Sequence, residues 1–255
     1  MALATVRALL CASFVLSACG SDPPQVLDPR RDASMDVVDA RADVVSEDVA
    51  RDTARPDGAY EIVHFDDTMG QLPDSIVVRG GSAYVSLAPI GRVMKVDPDG
   101  GVSLYGEIML PTTMTGTPLL TGLAFDSEGR LYVGVAVNVT PAVGGVWRVR
   151  AGGGVGALFA RNDRLVRPDG LYVDNTGELW VTDSSTGTIW RTSSDGLTVR
   201  EWSTDPLLRG ASPTCGRGIS GQTTGVSGIF VDRAAGQVFV TNSDKSSLVR
   251  VAIQP

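Results

Sequence analysis

From residue 74 onward, apolar positions alternate with polar ones in runs of five to seven residues, each closed by a Gly- or Asp-containing turn. Such alternation predicts half-buried β-strands rather than helices. Four longer segments repeat the same order of parts, starting at Asp74, Thr121, Asp169 and Ser227, with spacings of 47, 48 and 58 residues. Each opens with a small apolar strand and a polar turn containing Gly, and DPDG, DSEG, DNTG and SSDG read as turn sequences within the repeats. Asp caps its own backbone in such turns, and Gly accepts positive φ. A strand centred on an aromatic residue belongs to every unit, at Tyr84, Tyr132, Trp180 and Phe239. A strand with a basic residue follows, at Lys95, Arg148, Arg191 and Arg250. The phrases VSLYGEI, VGALFA and TVREWS supply a fourth, outer strand to three units. A period of forty to fifty residues with four strands per repeat predicts an all-β fold of the β-propeller type. AYEIVHF, residues 59–65, reads as one more strand and predicts the outer strand of the last unit.

The first 58 residues have a different character. MALATVRALLCASFVLSAC combines one basic residue, Arg7, with an apolar stretch from Ala8 to Ala18. That is a secretory signal pattern, too short for a membrane-spanning helix. Leu16-Ser17-Ala18-Cys19 resembles the bacterial lipoprotein signal. The resemblance implies removal of residues 1–18, acylation of Cys19 and a membrane held through the lipid. Gly20 rather than Asp follows the cysteine, which points to the outer membrane of a bacterial envelope. Residues 19–58 contain nine Asp and no aromatic residue before Ala59, so composition predicts a disordered acidic tether. The propeller domain is expected over 59–255.

Charge and cysteine content narrow the function classes. The net charge is −7 and no basic patch appears, which argues against nucleic acid as a partner. Of three cysteines, Cys11 belongs to the signal and Cys19 to the anchor, leaving Cys215 without a disulfide partner. His64 is the only histidine, and no serine elbow or CxxC metal motif is present. The stretch 205–226 lengthens the third spacing and reads as an insertion loop leading into Ser227.

The phrases LPDSIVV, AYVSLAPIGRVMKV, LTGLAFDSEGRLYV, RPDGLYVDNTGELWVTDSSTGTIWR and GIFVDRAAGQVFVTNSDKSSLVRV resemble the family of senescence marker protein, gluconolactonase and luciferin-regenerating enzyme. The repeats are also similar to NHL-type propellers. The resemblance implies six blades around a channel whose mouth holds one divalent cation, Ca, Zn or Mg, that can polarise a lactone carbonyl and activate water. Asp74 and Asp169 stand at the positions of two of the family's metal ligands; Ser227 stands where an Asn is usual. Asp183 and Asn242, at the ends of second strands, are further candidates to line the channel. Four units are present where the resemblance implies six, so an open arc, a truncated propeller and a closed four-bladed ring all remain open. With the ligand set thinned, the expected function is an envelope-anchored module that binds a small molecule, a glycan or another envelope protein, with weak or no hydrolase activity. The alternative is a metal-dependent lactonase or esterase.

Overall fold

The computed structural model describes residues 35–38, 63–110, 118–137, 143–210 and 225–253. All of them lie in one compact unit, Ala33–Pro255. A short strand, β1 (Met35–Val38), comes first. The first blade is formed by β2 (Pro73–Arg79), β3 (Ser82–Leu87), β4 (Arg92–Val96) and β5 (Val102–Ile108). The second is formed by β6 (Pro118–Phe125), β7 (Leu131–Val137), β8 (Val143–Val149) and β9 (Gly154–Ala160). The third contains β10 (Pro168–Val173), β11 (Leu179–Asp183), β12 (Thr188–Thr192) and β13 (Val199–Ser203). The fourth contains β14 (Val226–Asp232), β15 (Gln237–Asn242) and β16 (Ser247–Ala252), and β1 completes it. Within each blade neighbouring strands pair antiparallel in chain order. The four repeats therefore become four propeller blades.

The last blade departs from expectation. Its outer strand is not AYEIVHF; Val63, His64 and Phe65 form no strand. Met35–Val38 takes that edge instead, with Met35 opposite Val251 and Val38 opposite Leu248. These four residues fall inside the segment whose composition predicts a disordered tether. An outer strand is held mainly through backbone hydrogen bonds, so it needs little apolar patterning to dock. The rest of residues 1–62 lies outside the described residues, including the signal stretch and Cys19.

The first two blades also share an edge. β5 and β9 pair in parallel over Gly106–Ile108 and Gly154–Gly156, joining eight strands into one sheet. Glycines make that approach possible: a side chain at Gly153 would fall on the carbonyl oxygen of Tyr105, and one at Gly156 would press on Ile108. The join covers two edges that would otherwise offer unpaired backbone groups.

The core lies between blades rather than within them. One face of each of the first three blades presents the recurring aromatic to the following blade. Tyr84 meets Phe125 edge-on at 4.8 Å. Tyr132 packs with Leu171, Leu179 and Val181, and Trp180 with Val231, Val238 and Val240. Trp147, Trp180 and Trp190 are fully buried. Burying a ring of that size contributes roughly 4–6 kcal/mol from apolar area alone. At the turn ends, Asp174 accepts hydrogen bonds from the Trp180 indole at 2.8 Å and from Arg233 of the next blade at 2.8 and 2.5 Å. Arg191 pairs with Glu178 while lying over Trp180. Arg148 likewise lies over Phe159, so both of these recurring basic residues serve blade faces. Glu201 pairs with Arg164, at 2.6 Å.

Candidate functional site at the channel mouth

Each inner strand carries a β-bulge at the same place: between Pro73 and Ile76, Leu120 and Leu123, Pro168 and Leu171, and Val226 and Ile229. A bulge leaves residues unpaired and re-aims them. Asp74, Thr121, Asp169 and Ser227 are the residues so released. Repeating the bulge four times brings residues about fifty positions apart in sequence to one end of the channel. There the four inner strands enclose a cavity of ≈ 360 Å³ lined by Asp74, Gly122, Asp169, Gly170, Ser227 and Gly228, among others. That is at the lower end of the range for small-molecule sites.

A hydroxyl relay fixes the inner strands against one another. Ser86 Oγ accepts from the Ser75 amide at 3.0 Å and donates to the Thr121 carbonyl of the next blade at 3.2 Å. Thr182 Oγ1 repeats this, accepting from the Gly170 amide at 2.8 Å and donating to the Ser227 carbonyl at 2.5 Å. In the second blade Gly134 stands where the hydroxyl residue belongs. The Thr121 hydroxyl takes over and donates to the Pro168 carbonyl at 2.5 Å. Gly122 and Gly170 allow the approach, since a Cβ at either would fall on the carbonyl oxygen of Asp169 or Ser227.

Of the residues singled out from sequence, the structure brings three to the cavity: Asp74, Asp169 and Ser227. Asp169 is partly buried, and desolvation pushes its carboxyl up to about 6. Arg167 works against that rise, while the charges of Asp74 and Asp183 add to it. Asp74 moves in the same direction, through burial opposed by Arg167, but its residue surface is exposed. Only Asp169 therefore carries a shift that matters for stability. The Ser184 hydroxyl favours the ionised form of Asp169 without completing a hydrogen bond of ordinary geometry. Ser227 Oγ lies 3.0 Å from Thr241 Oγ1 and 3.2 Å from Ser243 Oγ.

Asp183 and Asn242 do not line the channel. Asp183 is fully buried, and its carboxylate accepts from the amides of Val166, Arg167, Ser185 and Thr186. Asn242 donates to the carbonyls of Leu207 and Arg209 and accepts from the Lys245 amide. Both tie the end of a second strand to neighbouring loops, a use of Asp and Asn that sequence position alone does not separate from ligand binding. The residue that sequence reasoning passed over is Arg167, which stands beside both carboxylates. Its signal was present in the RPDG phrase. Residues 211–224, with Cys215, lie outside the described residues. At the start of that insertion, Pro206–Leu208 form a short 3-10 turn that buries Leu208 in the core between the third and fourth blades.

The implied metal asks for three converging donors. Asp74 and Asp169 are two; Asp183 has its oxygens occupied, and the Ser227 hydroxyl belongs to a hydroxyl cluster. Among the described residues no group of three His, Cys, Asp or Glu side chains converges. The residues present therefore do not form the set that the family resemblance implies.

Known proteins agree with the architecture. The NHL repeat matches residues 165–191, the first three strands of the third blade. The Malassezia sympodialis allergen Mala s 1 superimposes with a TM-score of 0.53 at 15% identity, over 73% of this chain and 61% of the allergen. This chain has the propeller fold. A gluconolactonase from Xanthomonas campestris gives a TM-score of 0.48 at 19% identity, over 71% of this chain and 56% of its own. The chain thus spans little more than half the length of these structures. At such identities the likeness speaks to fold alone, and no curated protein matches the chain significantly.

Proposed function

We propose that the channel mouth binds a small, neutral or cationic, hydroxyl-rich molecule through Asp74 and Asp169, with weak or no hydrolase activity, on a chain anchored to an envelope membrane at Cys19. The carrying observation is the pair of carboxylates at a cavity whose remaining polar lining is hydroxyl and backbone, with the charge of Arg167 acting on both acids. Carboxylates accept hydrogen bonds from sugar hydroxyls. Hydrolysis of a lactone would need an activated water and a stabilised oxyanion. The raised pKa of Asp169 suits a general base, but the residues that line the cavity supply no cation to stabilise an oxyanion, and the charge of Arg167 already acts on both acids.

The test uses the purified full chain with sorbitol and glucono-1,5-lactone as probes. Saturation-transfer NMR should show contact with sorbitol that disappears in Asp169→Asn. The lactone should decay at the buffer rate, whether Ca²⁺, Mg²⁺ or Zn²⁺ is added or a chelator is present. Metal-dependent turnover abolished by the chelator would establish the lactonase reading instead.

A further inference from the structure

Where its inner strand ends, the first blade reverses the charge of the other three. Val77, Ala124, Tyr172 and Phe230 stand opposite the recurring aromatics Tyr84, Tyr132, Trp180 and Phe239. Two places further on, the later blades carry Asp126, Asp174 and Asp232, whereas the first carries Arg79. Asp126 and Asp174 are buried, and each serves the aromatic of its own blade. Asp126 accepts from the Tyr132 hydroxyl at 3.1 Å, and Asp174 from the Trp180 indole at 2.8 Å. Asp232 has no such duty, because Phe239 carries no polar atom. Tyr84 has a hydroxyl, yet among the described residues no carboxylate accepts from it. Asp97, near the end of the same blade, is taken up by Lys95 at 2.6 Å and by Ser82 at 2.9 Å.

Arg79 itself meets only neutral partners. Its guanidinium donates to the carbonyls of Asp126 and Ser127 at 2.8 and 3.3 Å and lies over the Phe125 ring. A guanidinium has five N–H donors, so this leaves some unused. No carboxylate pairs with it among the described residues. It borders a cleft of ≈ 500 Å³ between the first and second blades, lined also by Tyr84, Lys95, Tyr105 and Glu128. The other charges there are matched, Lys95 by Asp97 and Glu128 by Arg130. Burial and the neighbouring Tyr84 push the Tyr105 hydroxyl up, while the Gly152 amide, Arg79 and Lys95 pull it down. The two tyrosines and the two cations therefore act on one space.

We infer that this cleft binds a small organic monocarboxylate, whose carboxyl group accepts from the Tyr84 hydroxyl and pairs with Arg79. The ligand supplies the group that Asp126 and Asp174 supply in the next two blades. A planar carboxylate suits the guanidinium fork. Glu128, on the cleft wall, disfavours a second negative charge. The Tyr105 ring and the half-exposed Leu104 offer apolar surface to the body of the acid. The clamp from Arg79 to the carbonyls of the second blade accounts for an arginine, but it leaves the Tyr84 hydroxyl without the acceptor that its counterparts have.

Ligand-observed NMR titration of the full chain tests this, with benzoate, its neutral counterpart benzyl alcohol, and inorganic phosphate as probes. Benzoate should bind, more weakly as salt rises, and benzyl alcohol should not. Tyr84→Phe, which keeps the ring and its packing, should weaken benzoate about tenfold, the loss of one hydrogen bond to a charged group. Arg79→Gln should weaken it at least as much, and Arg79→Asp, which restores the pattern of the other blades, should abolish it. The circular dichroism spectrum of Tyr84→Phe should match the wild type, so that variant decides the matter even if the Arg79 variants loosen the blade contact. Absence of benzoate binding would overturn the inference, as would equal binding of benzyl alcohol or an unchanged affinity in Tyr84→Phe. Tighter binding of phosphate than of benzoate would overturn the assignment to a monocarboxylate.

Discussion

At the scale of residues, a carboxylate's role in this channel depends on who reaches it. Asp169 and Asp183 are fourteen residues apart in one blade. Four backbone amides hold Asp183 and leave it structural, whereas Asp169 meets an arginine, two acids and partial burial. Its raised pKa sets a sign for stability. The folded state holds the Asp169 proton more tightly than the unfolded chain does, so its contribution is most favourable below about pH 4. That contribution declines as pH rises from the unfolded value of 3.8 to about 6, and is flat above. Asp169→Asn should therefore stabilise the chain at pH 7 by about 1–3 kcal/mol and leave it unchanged near pH 3.5. Urea denaturation at the two pH values measures this, and equal stability of variant and wild type at pH 7 would contradict the burial of that carboxyl. Asp174 shows the opposite design. Burial opposes its ionisation, but Thr176, Trp180, Arg233 and backbone amides together hold its pKa below the usual range.

At the scale of elements, the inner strands are set by close backbone approach. Gly170→Ala would drive a methyl group into the Ser227 carbonyl, and neither atom belongs to a flexible side chain. Separating the third and fourth blades enough to admit it should cost about 2–3 kcal/mol. Chemical denaturation reads that loss; a change below about 0.5 kcal/mol would mean that the blades stand further apart than described. Which strands exist was legible in the sequence, because alternation and turn residues are local. The boundaries of β5, β9 and β13 fall within a residue of VSLYGEI, VGALFA and TVREWS. The outer edge of the fourth blade was not legible. AYEIVHF has the better strand composition, but docking at an edge is decided by where the chain can reach, and Met35–Val38 takes it. The parallel join of β5 to β9 was equally hidden, since glycine marks a close approach without naming what approaches.

For the whole molecule, the proposed lipid anchor at Cys19 and the proposed binding site of the propeller divide the work between location and recognition. Cys19→Ser should shift the protein from the membrane fraction to the soluble fraction, or leave it at the size of the uncleaved chain. Fractionation and immunoblotting test this, and full membrane retention at the mature size would exclude the lipid anchor.

The sequence by itself determined the all-β class, the four blade units with all their strands but the outer one of the fourth, and the positions from which Asp74, Asp169 and Ser227 reach the channel. Those follow from a repeated local pattern, and a repeat places equivalent residues equivalently. Only the tertiary structure decided that Asp183 and Asn242 are bound up in loops and that Arg167 faces the acid pair. Each depends on which distant groups come within hydrogen-bonding or packing distance, and a single blade's sequence holds no record of its neighbour.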